Sequence, residues 1–483
     1  MATQPDDTDS KIYALINYED PYVQPLILSA LEQRLPPSAY QLITSLSFLP
    51  SPTSRFLQFL QYESIDFGHL LSHPTTSLAN AYIIRKALIR KHYLSTTISN
   101  WITKYPDSVL KKHVQPSVEF EVDYAEFLND ALVEAWELRE SWQRGEGKDV
   151  GEREWWILKP GMSERGQGIR LFSEEEELTA IFEEWDPESD EDEEDETEDG
   201  DRNEDARSDD GTSPTTAIPK PILSDAERMK KEEGKGIITS QLRHFIAQPY
   251  IHPPLLLHPP SSPIPSASVP SDQALRKFHI RTYILATGAL KIHIYKAMLA
   301  LFAARPYTPP WSTSASTSDP SEALKAHLTN TCLQDTGERE GSVGLFWSLP
   351  DEIPNQPGFP TLSKNPNWKD DVFAQICSVT GEVFQAAARG MGIHFQLLPN
   401  AFEIFGLDFM VGVETDGSLN TWLLEVNAFP DFRQTGDELK GLVGGLFEGV
   451  VDIAVAPFFS VESKGEGQSG KMVKVLDIDL GRR

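Results

Sequence analysis

The sequence predicts an α/β protein, and three stretches carry that prediction. Strand, helix and strand patterns succeed one another over residues 11–48. A strand, a glycine-rich loop and a second strand succeed one another over residues 155–172. Residues 402–429 alternate apolar and polar side chains on both sides of a turn signal, as a long hairpin does.

The chain has 483 residues, enough for two or three packed domains. It divides into a small N-terminal α/β domain over residues 1–79, a larger region over 80–459 and a tail over 460–483. No apolar run approaches a membrane span, and no signal-peptide pattern opens the chain. Cys332 and Cys377 are the only cysteines, which excludes a disulfide framework and makes the cytoplasm, or else the nucleus, the expected compartment. The net charge is −30, with roughly half of it between residues 183 and 210. That balance disfavours direct nucleic-acid binding.

In order, residues 11–18 read as a strand, 22–34 as a helix stopped by Pro36 and Pro37, and 42–48 as a second strand. Residues 80–97 show a helical period with Ile84, Leu88 and Tyr93 on one side. Arg85, Lys86, Arg90 and Lys91 make that helix basic, either as a solvated face or as the wall of a cleft. A helix is expected over 123–143. The strand through Trp156 then ends on Lys159 and Pro160, before a loop holding Gly161, Gly166 and Gly168. Glycines let backbone N–H groups approach phosphates, although this is not a Walker loop. Residues of about 186–235 are acidic and then Ser/Pro/Lys-rich, the composition of a disordered insertion. Pro/Ser-rich loops are expected at about 253–275 and 305–322.

The strand at 276–285 places Lys277, His279 and Arg281 on one face and Phe278, Ile280 and Ile284 on the other. A turn at Thr287 and Gly288 would set Lys296 opposite His279, giving four groups suited to a triphosphate and a developing acyl-phosphate. Residues 369–390 read as an amphipathic helix and 438–458 as a closing helix. In the hairpin, Phe405, Leu407, Phe409 and Val411 share one face, which sends Asp408 to the other. A turn at Asp416 and Gly417 brings Asp408 across from Glu425, with Asn427 one step along and Leu423 on the same face. Two carboxylates and an amide oxygen suit Mg²⁺.

The succession is more specific than any one motif. Lys159 with the Gly166–Gly168 loop, Gln248-Pro-Tyr-Ile251, Lys277-Phe-His-Ile-Arg281, His327-Leu-Thr-Asn330, the Asp408 strand and Leu424-Glu-Val-Asn427 occur in that order. This order resembles the tubulin–tyrosine ligase and ligase-like family, whose core is an ATP-grasp fold, over residues of about 80–457. It is similar above all to the fungal members that include the ligase half of a processing-body protein.

The resemblance implies an ATP- and Mg²⁺-dependent ligase that joins a free amino acid to a protein or peptide carboxylate, such as a tubulin C-terminal tail. It implies nucleotide contacts for Lys159, Gly166, Gly168, Gln248, Pro249, Tyr250, Ile251, Lys277 and Asn330. It implies Mg²⁺ ligands in Asp408, Glu425 and Asn427, and catalytic roles for Arg281 and Glu425, with Lys296 as a further cation. The family pattern has aspartate at His279, lysine at Pro249 and, in tubulin–tyrosine ligase, arginine near Leu301. These departures leave open a second expectation, a nucleotide-binding scaffold in cytoplasmic mRNA granules (P-bodies), for which the acidic and Pro-rich segments would recruit partners.

Overall fold

The structure is a computed structural model. It describes residues 11–161, 167–185, 243–260, 275–313, 320–329, 342–356, 365–465 and 467–480. Gly166, Asn330, Cys332, the acidic insertion, most of the first Pro/Ser-rich segment (261–274) and part of the second (314–319) lie outside the described residues.

The first unit is a parallel sheet in the order β2-β1-β3-β4, from Tyr40–Ile43, Ile12–Asn17, Phe56–Leu60 and Ser77–Ala79. The second strand is shorter and earlier than its sequence implied, because Leu46–Phe48 winds into a 3₁₀ turn capped by Ser45. Helix α1 (Val23–Arg34) buries Val23, Ile27, Ala30 and Leu31, the spacing of one helical face. The stretch expected to be one helix over 80–97 is a short turn, Lys86–Ile89, followed by α2, Lys91–Lys104. Extended backbone at Arg90 separates the two.

The second unit is a sheet in the order β5-β8-β6-β7, from Val118–Glu121, His244–Pro249, Trp156–Pro160 and Arg170–Phe172. All three pairings are antiparallel. Helices α3 (Trp136–Gly145) and α4 (Glu175–Trp185) cover it. The helix expected over 123–143 is broken into a 3₁₀ turn at Ala125–Phe127, a single turn at Leu128–Ala131, and α3.

The third and largest sheet is built on β10 (Arg276–Thr287). On one side β10 pairs with β11 (Lys291–Tyr295) and β12 (Leu299–Phe302), and on the other with β14 (Phe402–Val413), which pairs with β15 (Leu419–Ala428). Strand β9 (Leu256–Leu257) pairs with the start of β10, and β13 (Val343–Leu345) extends β12. The polar tail contributes β16 (Met472–Asp477), which pairs with β11.

Helix α5 (Trp368–Gly390) packs one face of this sheet, burying Val372, Ile376, Val379 and Phe384 against Phe405, Leu407, Phe409 and Val411. The opposite face meets α1 and α6 (Lys440–Val450) through Phe402, Ile404, Val443 and Phe447. With both faces covered, all of β14 is buried rather than half-buried. The 19-residue helical run Lys440–Phe458 is long and apolar enough to cross a membrane by length and composition alone. Here Leu442, Val443, Leu446, Phe447 and Val450 are buried in the core with α1.

Candidate active site

Lys277, His279 and Arg281 alternate with core residues along β10, and all three are buried along one face, as the two-residue period requires. Asp408 lies opposite Arg281 in the register between β10 and β14, and opposite Glu425 in that between β14 and β15. The hairpin closes at Gly417, where φ is +80°, and Glu414 bonds Ser418 and Gly417 across the turn.

A bulge shifts the register between Asp408 and Phe409, so Phe409 pairs with Leu423. Leu423 and Val426 consequently both enter the core, while Glu425 and Asn427 line the cleft. Simple alternation had put Leu423 on the Glu425 face; the extra residue re-aims the carboxylate.

The side chains converge. Arg281 Nε and Nη2 bond the two oxygens of Asp408, the latter at 2.9 Å. Asn427 Nδ2 lies 3.1 Å from Glu425 Oε1 and 3.3 Å from Asp408 Oδ2. Lys91 Nζ, at the start of α2, lies 3.6 Å from Glu425 Oε2. Burial opposes ionisation of Glu425, but Lys91, then Asn427, Lys159 and Arg281, outweigh it and hold its carboxyl down to about 2. The basic stretch is therefore divided: Lys91, Arg90 and Arg85 line the cleft, Arg85 also pairing with buried Glu403 at 2.9 Å, while Lys86 is exposed away from it.

On the opposite wall, Lys159 at the end of β6 donates to Gln248 Oε1 at 2.8 Å, and Gln248 is itself held by Ser117. Lys277 donates to the Tyr250 hydroxyl at 2.9 Å, and His327 Nδ1 lies 2.9 Å from the same oxygen. Burial lowers Lys159 to about 8 and Lys277 to about 7, the latter with help from Lys159. Both lysines donate to neutral acceptors, which leaves their charge available to an anion. Pro249 and Ile251 flank Tyr250 along the same wall, and Gly168 takes a φ of +71°, open mainly to glycine.

His279 Nδ1 lies 2.6 Å from Thr329 Oγ1, and burial lowers its pKa, so the ring is neutral. Its Nε2 is 3.7 Å from Asp408 Oδ1 and has no hydrogen-bond partner among the described residues.

Lys296 is not in the cleft. Residue 279 pairs with Leu301 of β12, not with the end of β11. Lys296 sits in the turn after β11, exposed, with its ammonium 5.1 Å from the Trp347 ring centre. The sequence centred the hairpin on Thr287 and Gly288, but Thr287 still belongs to β10 and pairs with Lys291, so the turn is residues 288–290. It also extended the hairpin too far, since β10 pairs with β12 up to Arg281 and with β11 only from Ile284. Sequence reasoning also missed the Tyr250–Lys277–His327 contacts and the Lys91–Glu425 contact. The order of motifs held the first; nothing local marked Lys91 out from its basic neighbours.

The cleft encloses about 620 Å³, ample for a nucleotide. Its donor set can be tested against a divalent cation. Two carboxylates that each lie within 3.3 Å of the Asn427 amide give, with it, oxygen donors of the type Mg²⁺ takes, and a half-turn of Asn427 exchanges its nitrogen for oxygen. Glu425 and Asn427 fit directly, and Asp408 would share its oxygens with Arg281.

A hairpin of acids with buried Lys277 beside it on β10 and buried Lys159 from the second sheet, in a cleft between two antiparallel sheets, is the arrangement of an ATP-grasp enzyme. The tubulin–tyrosine ligase family model matches residues 72–463. The chain belongs to that family, which gives it a ligase-type fold.

A probable tubulin–tyrosine ligase of Schizosaccharomyces pombe is 40% identical over 456 residues, 94% of each chain. The probable tubulin–tyrosine ligase PBY1 of Saccharomyces cerevisiae is 40% identical over 420 residues, 86% of this chain and 48% of that one, so the chain spans about half of that relative. The crystal structure of the C-terminal domain of K. lactis Pby1, an ATP-grasp enzyme interacting with the mRNA decapping enzyme Dcp2, superposes with a TM-score of 0.60. It is 33% identical, and the match covers 97% of this chain and 99% of that one.

Proposed function

We propose that this protein is an ATP- and Mg²⁺-dependent carboxylate–amine ligase that joins an amino acid to a carboxylate of a protein or peptide. The observation that carries the reading is one cleft in which buried Lys159 of the second sheet and buried Lys277 of β10 meet Asp408, Glu425 and Asn427 of the β14–β15 hairpin. The lysines are matched to phosphates, and Gln248, Pro249, Tyr250 and Ile251, with apolar Ile157 and Met410 nearby, to the base. Asp408, Glu425 and Asn427 would hold Mg²⁺, whose charge, when bound, offsets that of the phosphates.

In the reaction, a carboxylate oxygen of the acceptor attacks the γ-phosphorus of ATP. The bond to the bridging oxygen breaks, ADP leaves, and an acyl-phosphate remains. The amine then attacks the acyl carbon, inorganic phosphate departs with the C–O electron pair, and the amine loses a proton. Because Arg281 spends two donors on Asp408, we assign it to holding that carboxylate in place. The acceptor carboxylate falls instead to Lys91, whose ammonium lies 3.6 Å from Glu425 and near enough to Lys159 for its charge to act on it.

Calorimetric titration of MgATP, followed by ADP release with amino acids and glutamate-rich peptides, tests the reading. Metal-dependent binding abolished by the Asp408→Asn, Glu425→Gln double substitution is expected. No binding by the folded wild type would sink it.

A second reading, a catalytically weak scaffold in cytoplasmic mRNA granules, draws on K. lactis Pby1, which interacts with Dcp2. Partner binding that persists in Glu425→Gln, without ADP release by the wild type, would favour it.

A further inference from the structure

The helical layer over the second sheet has an unusual outer surface. Trp136 is 63% exposed, Val133 51%, and Tyr124 and Phe127 48% each. These four belong to a single run of 13 residues, and the Tyr124 and Phe127 rings touch with centres 6.3 Å apart. They are not the residues that hold the layer down. Leu128, Leu132, Ala135 and Leu138 turn inward to the core under Phe172 and Phe245, which leaves the aromatics on the outer side. Large aromatic side chains are expensive to leave in water and are enriched at the centres of protein interfaces.

The charge around them has one sign. Residues 119–140 contain eight acidic side chains and one basic one, Arg139, so any anionic partner is repelled and nucleic acid is excluded. Glu126, Asp130, Glu134 and Glu137 lie exposed among the aromatics. Arg243 is bound to Asp123 at 2.6 and 2.8 Å, which fixes one margin of the surface beside Tyr124. The site is separate from the cleft, since none of these residues lines it.

We infer that Tyr124, Phe127, Val133 and Trp136, with their acidic surround, form a docking surface for a basic protein segment that carries apolar side chains. The aromatics supply the contact area, and the carboxylates select a Lys/Arg-bearing partner and set its approach. A partner held there would be independent of nucleotide in the cleft.

The test uses a fluorescein-labelled helical peptide of leucine and lysine, titrated with the full chain at about physiological salt. Wild type is expected to bind it, and Phe127→Ser/Trp136→Ser to bind at least about tenfold more weakly with an unchanged Tm. A glutamate–leucine peptide should not bind. Saturating MgATP should leave the affinity unchanged. Leu42→Ser/Phe48→Ser, which alters exposed apolar side chains on the first sheet, should bind as wild type. Equal affinity of wild type and Phe127→Ser/Trp136→Ser would overturn the inference, as would an oligolysine without leucines that binds as tightly as the mixed peptide. Both results would show general acidity at work and not this surface.

Discussion

Arg281 turns its Nε and Nη2 onto the two oxygens of Asp408, so the donor edge of one residue closes on the full acceptor edge of the other across β10 and β14. Both side chains are buried, and the attached charges come from adjacent strands of one sheet. Such a pair is strongly coupled: removing one partner strands the other without water.

Arg281→Met is therefore expected to destabilise the protein by about 3–5 kcal/mol, since buried Asp408 is left without its cation partner. Denaturant unfolding checks this. Arg281→Met/Asp408→Leu should recover much of the loss, and a double substitution no more stable than the single one would show that the pair is not the cause.

Lys91 and Glu425 separate two functions within the cleft. Lys91→Met should leave MgATP affinity within about threefold while lowering kcat/KM for a peptide acceptor about 10- to 100-fold, the size of one charged hydrogen bond. Lys91→Arg should restore most of it. Parallel calorimetry and ADP release read the two effects, and an equal loss of nucleotide and acceptor binding would place Lys91 on the phosphates instead.

The buried lysines give nucleotide binding a pH dependence of definite sign. Lys277 near about 7 and Lys159 near about 8 are partly neutral at physiological pH, and an incoming triphosphate favours their charged forms. Binding should take up protons, and affinity should fall as pH rises from about 7 to about 9. Calorimetry in buffers of different ionisation enthalpy measures the uptake directly. Proton release on binding would contradict the assignment.

Glu403 is fully buried in β14, near Arg85, which also lies 3.8 Å from the centre of the Tyr62 ring. Burial raises the Glu403 carboxyl to about 7 despite Arg85. A carboxyl raised on folding stabilises most below its unfolded value near about 4.5 and loses that contribution as pH climbs through about 7. Glu403→Gln should thus flatten the decline in Tm between about pH 5 and about pH 8. Arg85→Met should steepen it, because the charged form of Glu403 then has no cation.

Much of this site was legible because its residues sit in regular strands. A two-residue period assigns Lys277, His279 and Arg281 to one face, and an Asp-Gly turn marks the hairpin, although Asp408 meets Glu425 only through the bulge beside it. The failures lie where a period breaks. The bulge beside Asp408 sends Leu423 inward, and the change of partner along β10 leaves Lys296 outside. The Lys91 contact with Glu425 joins segments more than three hundred residues apart, and no local pattern encodes such a distance. The first sheet was read only in part, since β3 is buried throughout and shows no apolar–polar alternation, and β4 is three residues long.

The strand β16 lies at the margin of the largest sheet, where it covers β11. Its residues leave the ribosome long after β11 and β10 have been made. Until then a strand with buried Ile292 and Ile294 presents unpaired amides to whatever is nearby. A nascent or proteolysed chain that stops short of Met472 would keep the nucleotide cleft residues yet carry a sticky flank. Solubility and self-association, more than catalysis, are what this last strand protects.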